Sequence, residues 1–209
     1  MLRRYEMYSI RPDAPAAEVE RFADSFLRCG SIIPEVLDSA IGTNLSDVPL
    51  QLVWEHAYAS PEAYQRYMVH PYHACILDRA LLADSPERIV SSNDVGAGLV
   101  GYVCDTPVYR MTAGIRRLVL LDLSPGEAAA FSKAGERDIG GLRVSVVAEN
   151  SMASAWFDGV TPITAPPRWS HVWEQGWDSL AAFEAYRASS LAGVEPEGRS
   201  ASVHYEPRR

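Results

Sequence analysis

The sequence predicts an α+β fold in which two units of ferredoxin-like topology are fused in one chain. In the first half of the 209 residues, segments of strand and helix character follow the order strand, helix, strand, strand, helix, strand, which is the ferredoxin-like order. Residues 172–188 then repeat residues 53–69 with six identities in seventeen positions, where chance would give about one. We therefore predict a first unit over 1–100, a linker over 101–113 and a second unit over 114–209.

The first unit begins with a strand at residues 3–10 and a helix that opens at Pro15. Apolar residues recur through this helix at the spacing of one helical face, at Val19, Phe22 and Phe26. A helix with one such face packs on a sheet, so this face is predicted to lie against the strands.

Two further strands are predicted at 36–41 and 51–59, and the second of these is rich in Val, Trp and Tyr. Because side chains alternate along a strand, one of its faces carries Leu52, Trp54, His56 and Tyr58. A helix follows at once, since Ser60 is a good N-cap and Pro61 suits the first helical position.

Pro71 interrupts this helix, and a second helical segment restarts at Tyr72 and runs to residue 82. Tyr67, His70 and His73 are thereby gathered around the kink. A neutral imidazole can take a proton near pH 7 and a phenol can stabilise a developing oxyanion, so such a group can transfer protons without a cofactor. The alternative is that these side chains only satisfy backbone groups at a helix break. The unit would close with a fourth strand at 87–95.

The pattern YxxHPxH after a strand and a short helix, from Tyr67 to His73, resembles the stress-responsive A/B barrel (Dabb) family and, within it, the polyketide cyclases. The resemblance implies that His73 is the general base and that Tyr67 orients or polarises a substrate carbonyl. It also implies a pocket between the sheet and the helices, with substrate-binding residues at Phe22, Phe26, Leu52, Trp54, His56 and His70. Single domains of this family form a dimeric α+β barrel, so the two fused units are expected to pack sheet on sheet as a pseudo-dimeric barrel. Leu52 and Arg4 stand near positions where the cyclases have pocket histidines, which leaves the substrate and the reaction open.

The second unit keeps Tyr186 at the position of Tyr67, but residues 189–191 do not continue as HPxH. We predict one competent pocket per chain and a second, degenerate or reassigned, pocket lined by His171, Trp173 and Tyr186. The apolar segment 150–168 has no counterpart in the first unit and is either a lid, a packing arm or a surface loop.

Composition restricts the function classes. The net charge of −8 opposes nucleic-acid binding, and no apolar run or leader pattern indicates membrane spanning or secretion. Three cysteines without pairing pattern suit the cytoplasm, and Cys75 is predicted to be a small buried residue rather than a nucleophile. His70 and His73 at i, i+3 invite a metal or haem, but no further ligand stands at suitable spacing, so neither is predicted.

The kink residues and the resemblance together predict a cofactor-independent acid–base enzyme acting on a hydrophobic, carbonyl-bearing molecule, polyketide-like or aromatic, as a cyclase, lyase or isomerase. The alternatives are a non-catalytic, stress-responsive protein that binds small molecules and a cofactor-free monooxygenase. A homodimer of the fused chain is the one protein partner expected.

Overall fold

A computed structural model describes residues 1–82, 85–91, 98–105, 110–135, 139–152, 154–158, 161–165, 168–189 and 199–209. Its strands are β1 (Leu2–Tyr8), β2 (Val36–Thr43), β3 (Leu52–Tyr58), β4 (Leu99–Val103), β5 (Ile115–Leu121), β6 (Leu142–Glu149), β7 (Ser154–Asp158), β8 (Thr161–Ala165), β9 (His171–Trp177) and β10 (Ser200–Tyr205). Its α-helices are α1 (Ala16–Ile32), α2 (Pro61–Met68), α3 (Pro125–Gly135) and α4 (Leu180–Arg187), with a π-helix at His73–Leu77 and a 3-10 turn at Asp78–Ala80. Within these ranges no helix is both long and apolar enough to cross a bilayer.

The two units share one sheet topology. The first sheet has the order β2-β3-β1-β4, and the second has the corresponding order β6-β9-β5-β10, with antiparallel neighbours throughout. Even the irregularities correspond, because a bulge interrupts the β2–β3 ladder near Asp38 and the β6–β9 ladder near Val144. The predicted α+β fold, two fused ferredoxin-like units with sheets packed into a pseudo-dimeric barrel, is confirmed.

One face of each sheet packs against the other sheet and buries a cluster of charges. Arg3 Nε lies 2.8 Å from Glu174 Oε2, and Arg116 Nε lies 3.2 Å from Glu55 Oε2. Arg3 and Arg116 occupy equivalent positions in β1 and β5, as Glu55 and Glu174 do in β3 and β9. Each unit therefore sends its arginine to the carboxylate of the other, as subunits do across a two-fold axis.

Two tyrosines also contact the glutamate of the opposite unit. The Tyr102 hydroxyl, on β4, donates to Glu174 Oε2 at 2.7 Å, and the Tyr205 hydroxyl, on β10, donates to Glu55 Oε2 at 2.9 Å. The apolar remainder of this interface surrounds the charges, so the barrel interior excludes water from a reciprocal set of ion pairs.

The other face of each sheet packs against helices, again with a shared contact. Trp54 Nε1 donates to Ser39 Oγ at 2.9 Å, and Trp173 Nε1 donates to Ser145 Oγ at 2.9 Å. A buried indole N–H needs an acceptor, and each unit supplies it from the neighbouring strand. Trp54 and Trp173 therefore lie on the helix-facing sides of β3 and β9, and the predicted site residues in phase with them along these strands lie on the same sides.

The prediction of a fourth strand at 87–95 is wrong where the chain is described. Residues 87–91 form turns and a single bridge between Val90 and Ile10, while 92–95 lie outside the described residues. The fourth strand is β4, which pairs with β1 and begins inside the first predicted unit and ends inside the predicted linker.

Gly101 in the middle of β4 reads as a strand breaker but has a packing role. A Cβ at this position would lie 2.7 Å from Met152 Cγ and 2.8 Å from the Arg3 carbonyl oxygen. The Gly101 N–H also donates to Asn150 Oδ1 at 3.0 Å. Glycine is therefore required by the close approach of the segment that follows β6.

The segment after Pro71 also differs from the regular helix that was predicted. It forms a π-helix that buries His73 and Leu77 and leaves Ala74 and Cys75 exposed, so the prediction of Cys75 as a buried residue is wrong. The wider π turn changes which side chains align, because its backbone hydrogen bonds join residues five apart instead of four apart.

The segment 150–168 contains the antiparallel hairpin formed by β7 and β8. Its base is anchored, since Asn150 Nδ2 donates to the Trp169 carbonyl oxygen at 2.8 Å and Ser151 N–H donates to the Gly101 carbonyl oxygen at 2.8 Å. Whether the hairpin acts as a lid stays a prediction.

Candidate functional site

The helix-facing side of the first sheet carries a set of buried or half-buried ionisable side chains, which we call the polar cluster. Its members come from β1, β3, α2 and the π and 3-10 turns. They are Arg4, Glu6, Tyr8, His56, Tyr58, Tyr67, His73 and Asp78. Strand alternation brings the first five to one face, α2 contributes Tyr67, and the segment after Pro71 contributes His73 and Asp78.

Glu6 is the anionic centre of the polar cluster. It forms an ion pair with Arg4, accepts a 2.5 Å hydrogen bond from the Tyr8 hydroxyl, and lies 3.4 Å from His56 Nε2. Burial alone would raise the pKa of Glu6, but Arg4, His56 and Tyr8 outweigh burial and lower it to about 2. Glu6 is therefore a carboxylate at all physiological pH values.

His56 is held rigidly on β3. Its ring stacks on Trp54 with centroids 3.7 Å apart, and its Nδ1 lies 2.6 Å from the Tyr58 hydroxyl. Burial lowers the pKa of His56 to about 4, although Glu6 opposes this. The imidazole is neutral at pH 7, and its Nε2 has no hydrogen-bond partner among the described residues.

His73 has a defined tautomer. Its Nδ1 lies 3.1 Å from the Met68 carbonyl oxygen, which can only accept, so Nδ1 carries the hydrogen of the neutral ring. The lone pair is then on Nε2, which faces Asp78 Oδ1 at 3.6 Å. Burial lowers the pKa of His73 to about 4, so at pH 7 this nitrogen is available to accept a proton.

Asp78 belongs to the cluster but is absent from the sequence prediction. Burial, followed by the negative charge of Glu6, raises the pKa of Asp78 to about 6. The Asp78 N–H bonds to the His73 carbonyl oxygen five residues earlier, which is the π-turn pattern. In a regular helix, position 78 would point elsewhere, so only the π turn brings Asp78 to His73.

Tyr67 carries a buried hydroxyl without a partner among the described residues. Its side chain is fully buried, its ring lies edge-on to His73 with centroids 4.4 Å apart, and its hydroxyl has no hydrogen-bond partner in the described part of the chain. Burial raises the pKa of Tyr67, so the hydroxyl keeps its proton and can donate it. A buried polar group left unpaired costs about 1–3 kcal/mol, which marks this hydroxyl as a place for an acceptor.

Aromatic rings fill the space around the polar cluster. Phe22 and Phe26 on α1 are buried, with ring centroids 4.4 Å apart, and Phe26 lies 4.2 Å from Trp54. These three side chains lie in the layer between sheet and helices, where the pocket is predicted, and that layer is densely packed around Tyr67. Their role in substrate binding stays a prediction.

Leu52 and His70 lie further out. Leu52 stands at the end of β3 and lines an open groove of about 480 Å³ between α1, β2 and the start of α4. His70 is half-buried, and its Nδ1 accepts a hydrogen bond from Tyr72 N–H at 3.1 Å. In this structure His70 therefore stabilises the helix restart.

The predicted second-unit residues lie on the corresponding face of the second sheet. Trp173 and Tyr186 are buried, and Tyr186 packs on Trp177 with ring centroids 4.7 Å apart. His171 is half-buried at the start of β9, with Nδ1 2.9 Å from Ser170 Oγ. Most of the segment that replaces HPxH, from residue 190 onward, lies outside the described residues.

No group of three or more His, Cys, Asp or Glu side chains suited to hold a metal ion occurs in the described ranges. His70 and His73, the pair that invites a metal by spacing, use Nδ1 for backbone contacts.

Neither a protein-family model nor a curated protein matches this sequence. Among solved structures, an anthrone oxidase-like protein is similar over 100% of this chain and 91% of its own, with 12% identity and a TM-score of 0.65. A provisionally named monooxygenase from Fusobacterium nucleatum subsp. nucleatum is similar over 100% and 92%, with 8% identity and a TM-score of 0.60. A mutant chlorite dismutase from Candidatus Nitrospira defluvii is similar over 100% and 91%, with 10% identity and a TM-score of 0.55. At these identities the likeness shows the shared fold.

Proposed function

We propose that the first unit is the active site of a cofactor-independent acid–base enzyme for a hydrophobic, carbonyl-bearing small molecule, polyketide-like or aromatic. The reaction is a cyclisation, elimination or isomerisation that begins with loss of a proton next to the carbonyl. The observation that carries the proposal is the buried Tyr67 hydroxyl, unpartnered among the described residues and beside the neutral His73 ring.

The roles follow from the hydrogen positions. His73 Nε2 carries a lone pair and takes the proton, while the protonated Tyr67 hydroxyl donates to the carbonyl oxygen and to the enolate oxygen that forms from it. The resulting imidazolium is stabilised by Glu6, whose charge already opposes the effect of burial on the pKa of His73. A low resting pKa keeps the base unprotonated, and the fixed carboxylate lowers the cost of its charged state.

The surroundings suit an apolar, ring-bearing substrate. Phe22, Phe26 and Trp54 present ring edges and faces to the layer that contains Tyr67, and aromatic linings with a few polar groups are typical of small-molecule sites. The rings pack tightly, so substrate entry requires side-chain rearrangement around Tyr67. A protein that only binds such a molecule would use the same lining without proton transfer.

Cofactor-free monooxygenation is the second candidate, because two similar structures carry the names anthrone oxidase-like protein and monooxygenase. It begins with the same deprotonation by His73, after which the carbanion reacts with dioxygen. An activated methylene becomes a carbonyl, with one oxygen atom retained and the other released as water. Oxygen uptake separates this outcome from cyclisation or isomerisation.

The test measures proton abstraction directly. Anthrone and related aryl ketones are incubated with the protein in deuterium oxide, and exchange of the methylene hydrogens is followed by NMR with an oxygen electrode in parallel. His73→Gln should lower the exchange rate about a hundredfold or more, and Tyr67→Phe should lower it about tenfold. Both variants should keep the circular dichroism spectrum of the parent.

Tyr72→Phe is the matched control, because Tyr72 lies in the same segment but its hydroxyl donates to the Ser25 carbonyl oxygen at the helix surface. Its exchange rate should stay within about twofold of the parent. Saturable binding of the ketones without hydrogen exchange would contradict the enzyme proposal and favour a non-catalytic protein that binds small molecules. Equal exchange in folded His73→Gln and parent protein would exclude His73 as the base.

A further inference from the structure

Three buried side chains of the second unit have hydrogen-bond donors for which no described residue supplies an acceptor. Gln175 Nε2 and Trp177 Nε1 on β9 have no described partner, and the Tyr186 hydroxyl on α4, which interacts with the Arg117 guanidinium, has no described acceptor for its own O–H. Gln175 and Trp177 are 0% exposed and Tyr186 is 3% exposed. Buried polar side-chain atoms almost always have a partner, so three in one layer indicate a missing partner.

These three side chains share one side of the second sheet. Gln175 and Trp177 are two residues apart on β9 and point to the same face, and the Tyr186 ring lies 4.7 Å from the Trp177 ring. In the first unit the equivalent positions are His56, Tyr58 and Tyr67 by the β1–β3 and β5–β9 registers and the sequence repeat. The unsatisfied atoms therefore mark the same place in the fold as the polar cluster.

The hydrogen-bonding character of the two places is opposite. The position of Glu6 on β1 corresponds to Val119 on β5, so β5 supplies no acceptor there. Gln175 Oε1 already accepts from Arg117 Nη1 at 2.8 Å, which orients the amide and leaves its NH₂ group as the unsatisfied part. An amide NH₂ and an indole N–H can only donate.

Positive charge and aromatic rings complete the surroundings. The Arg117 guanidinium carbon lies 5.7 Å from the Trp173 ring centroid and 5.9 Å from those of Phe183 and Tyr186. Arg117 stays charged at physiological pH even though burial lowers its pKa to about 10. A ligand that satisfies these donors must therefore be rich in acceptors, and it gains from carrying a negative charge.

We infer that the second unit contains its own ligand site, separate from the first-unit active site, which binds a small aromatic carboxylate through Gln175, Trp177 and Tyr186. The carboxylate oxygens accept from the amide, the indole N–H and the phenol, and the ring of the ligand packs among the aromatic side chains. The site binds without turnover, so its test does not depend on the chemistry proposed for the first unit.

Benzoate is the probe, with benzyl alcohol as its uncharged counterpart. In protein labelled with ¹⁵N-tryptophan, each indole N–H gives its own NMR signal, and Trp177→Phe assigns the signal of Trp177. Benzoate should move this signal downfield in a saturable way, while benzyl alcohol should bind about tenfold more weakly or not at all. Calorimetry gives the affinity in parallel.

Two variants remove the donors. Trp177→Phe keeps a ring but loses the N–H, and Gln175→Glu replaces the NH₂ group by an acceptor of nearly equal size next to Arg117, so both should fold. Each should weaken benzoate binding by about tenfold or more. Tyr72→Phe, remote on the surface of the first unit, should leave the affinity unchanged.

The inference is overturned if the Trp177 indole signal does not respond to benzoate up to saturation of solubility. It is equally overturned if both donor variants bind benzoate as the parent does. Cross-peaks from the Trp177 N–H to a long-lived water that persist in excess benzoate would identify buried water as the partner instead.

Discussion

The two helix-facing layers have the same backbone and opposite chemistry. The first unit places Glu6 and His56 where the second has Val119 and Gln175. Proton donors and acceptors are balanced around His73, whereas the second unit mainly offers donors. The contacts that both units share hold the strands and helices together. The tyrosine hydroxyl left for a ligand is common to both units, at Tyr67 and Tyr186, and the side chains around it differ. Function in such a fold is carried by sites added to a common framework.

The largest expected effect concerns the buried ion pairs that the two units exchange across their interface. Glu174 is buried between Arg3 and Arg116, and although burial would raise the pKa of Glu174, the two arginines lower it to about 2. Glu174→Gln leaves two buried guanidinium groups without that carboxylate, so the free energy of unfolding should fall by about 3–5 kcal/mol. Urea denaturation measures the loss.

Glu55→Gln is the mirrored variant, because Glu55 accepts from Arg116 and Tyr205 as Glu174 accepts from its own partners. Glu55 also forms an ion pair with Arg209, so its loss should be at least as large as that of Glu174→Gln. The double variant should lose less than the sum of the two because the buried charges interact. Glu18→Gln, in an exposed pair with Arg21, is the control and should cost little. A loss at only one of the two buried positions would show that the units are not equivalent at their interface.

The second effect is the pH dependence of stability, to which two buried histidines of the first unit contribute. His56 and His73 have pKa values lowered to about 4, against 6.5 for an ordinary histidine. Between those values the unfolded chain binds more protons than the folded one, so stability is full above pH 6.5 and falls as the pH drops towards 4. Each histidine contributes roughly 3 kcal/mol to this fall. Asp78 works in the opposite direction, since its pKa of about 6 favours the folded state at the acidic end of the window.

His56→Gln introduces the second-unit residue into the first unit. The variant should lose roughly half of the histidine contribution to the slope of unfolding free energy between pH 7 and pH 4.5, because glutamine does not titrate. Urea unfolding at pH 7, 5.5 and 4.5 gives the slope. If parent and variant have parallel curves, His56 is not the buried neutral group described here.

The third effect tests Asp78 as a positioning residue for His73, and it assumes the proposed function. Asp78 Oδ1 faces His73 Nε2 at 3.6 Å and carries a negative charge only above its pKa of about 6. Proton exchange by the parent should therefore rise with pH through about 6, as the carboxylate becomes able to stabilise the imidazolium. Asp78→Asn should remove this rise and lower the rate at pH 7.5 by about tenfold, with little change in substrate affinity. An unchanged pH profile would assign Asp78 a structural role.

The sequence predicted most of the framework because its signals are local. Alternation along the central strand, the cap at Ser60 and the repeated Trp-Glu pair each depend on neighbouring residues, and each is found where expected. The repeat also aligned the two units correctly, since Trp54 and Trp173 occupy equivalent positions in the two sheets.

The missed features depend on contacts between distant segments. Gly101 lowers the strand propensity of its segment, and its packing role follows only from the approach of Met152 and Asn150. Asp78 reaches His73 only through a π turn, which no simple periodicity marks. To predict the reciprocal ion pairs across the barrel, one must know which side of each sheet packs against the other sheet. Side-chain alternation alone leaves that choice open.

The smallest effect returns to what the units share. Ser60 Oγ accepts from Ala63 N–H at 3.3 Å, and Ser179 Oγ accepts from Ala182 N–H at 3.2 Å, so both short helices begin with the same cap. Replacement of either serine by alanine should cost about 1 kcal/mol of unfolding free energy, and replacement by glycine only a few tenths. Pro61 follows Ser60 whereas Leu180 follows Ser179, and proline already fixes the backbone at the first helical position. If the loss at Ser179 clearly exceeds the loss at Ser60, proline supplies part of the order at the start of α2. Equal losses of unfolding free energy would mean that the serine hydroxyl alone determines both helix starts. The two units would then be equivalent at these caps although their sequences differ at the next residue.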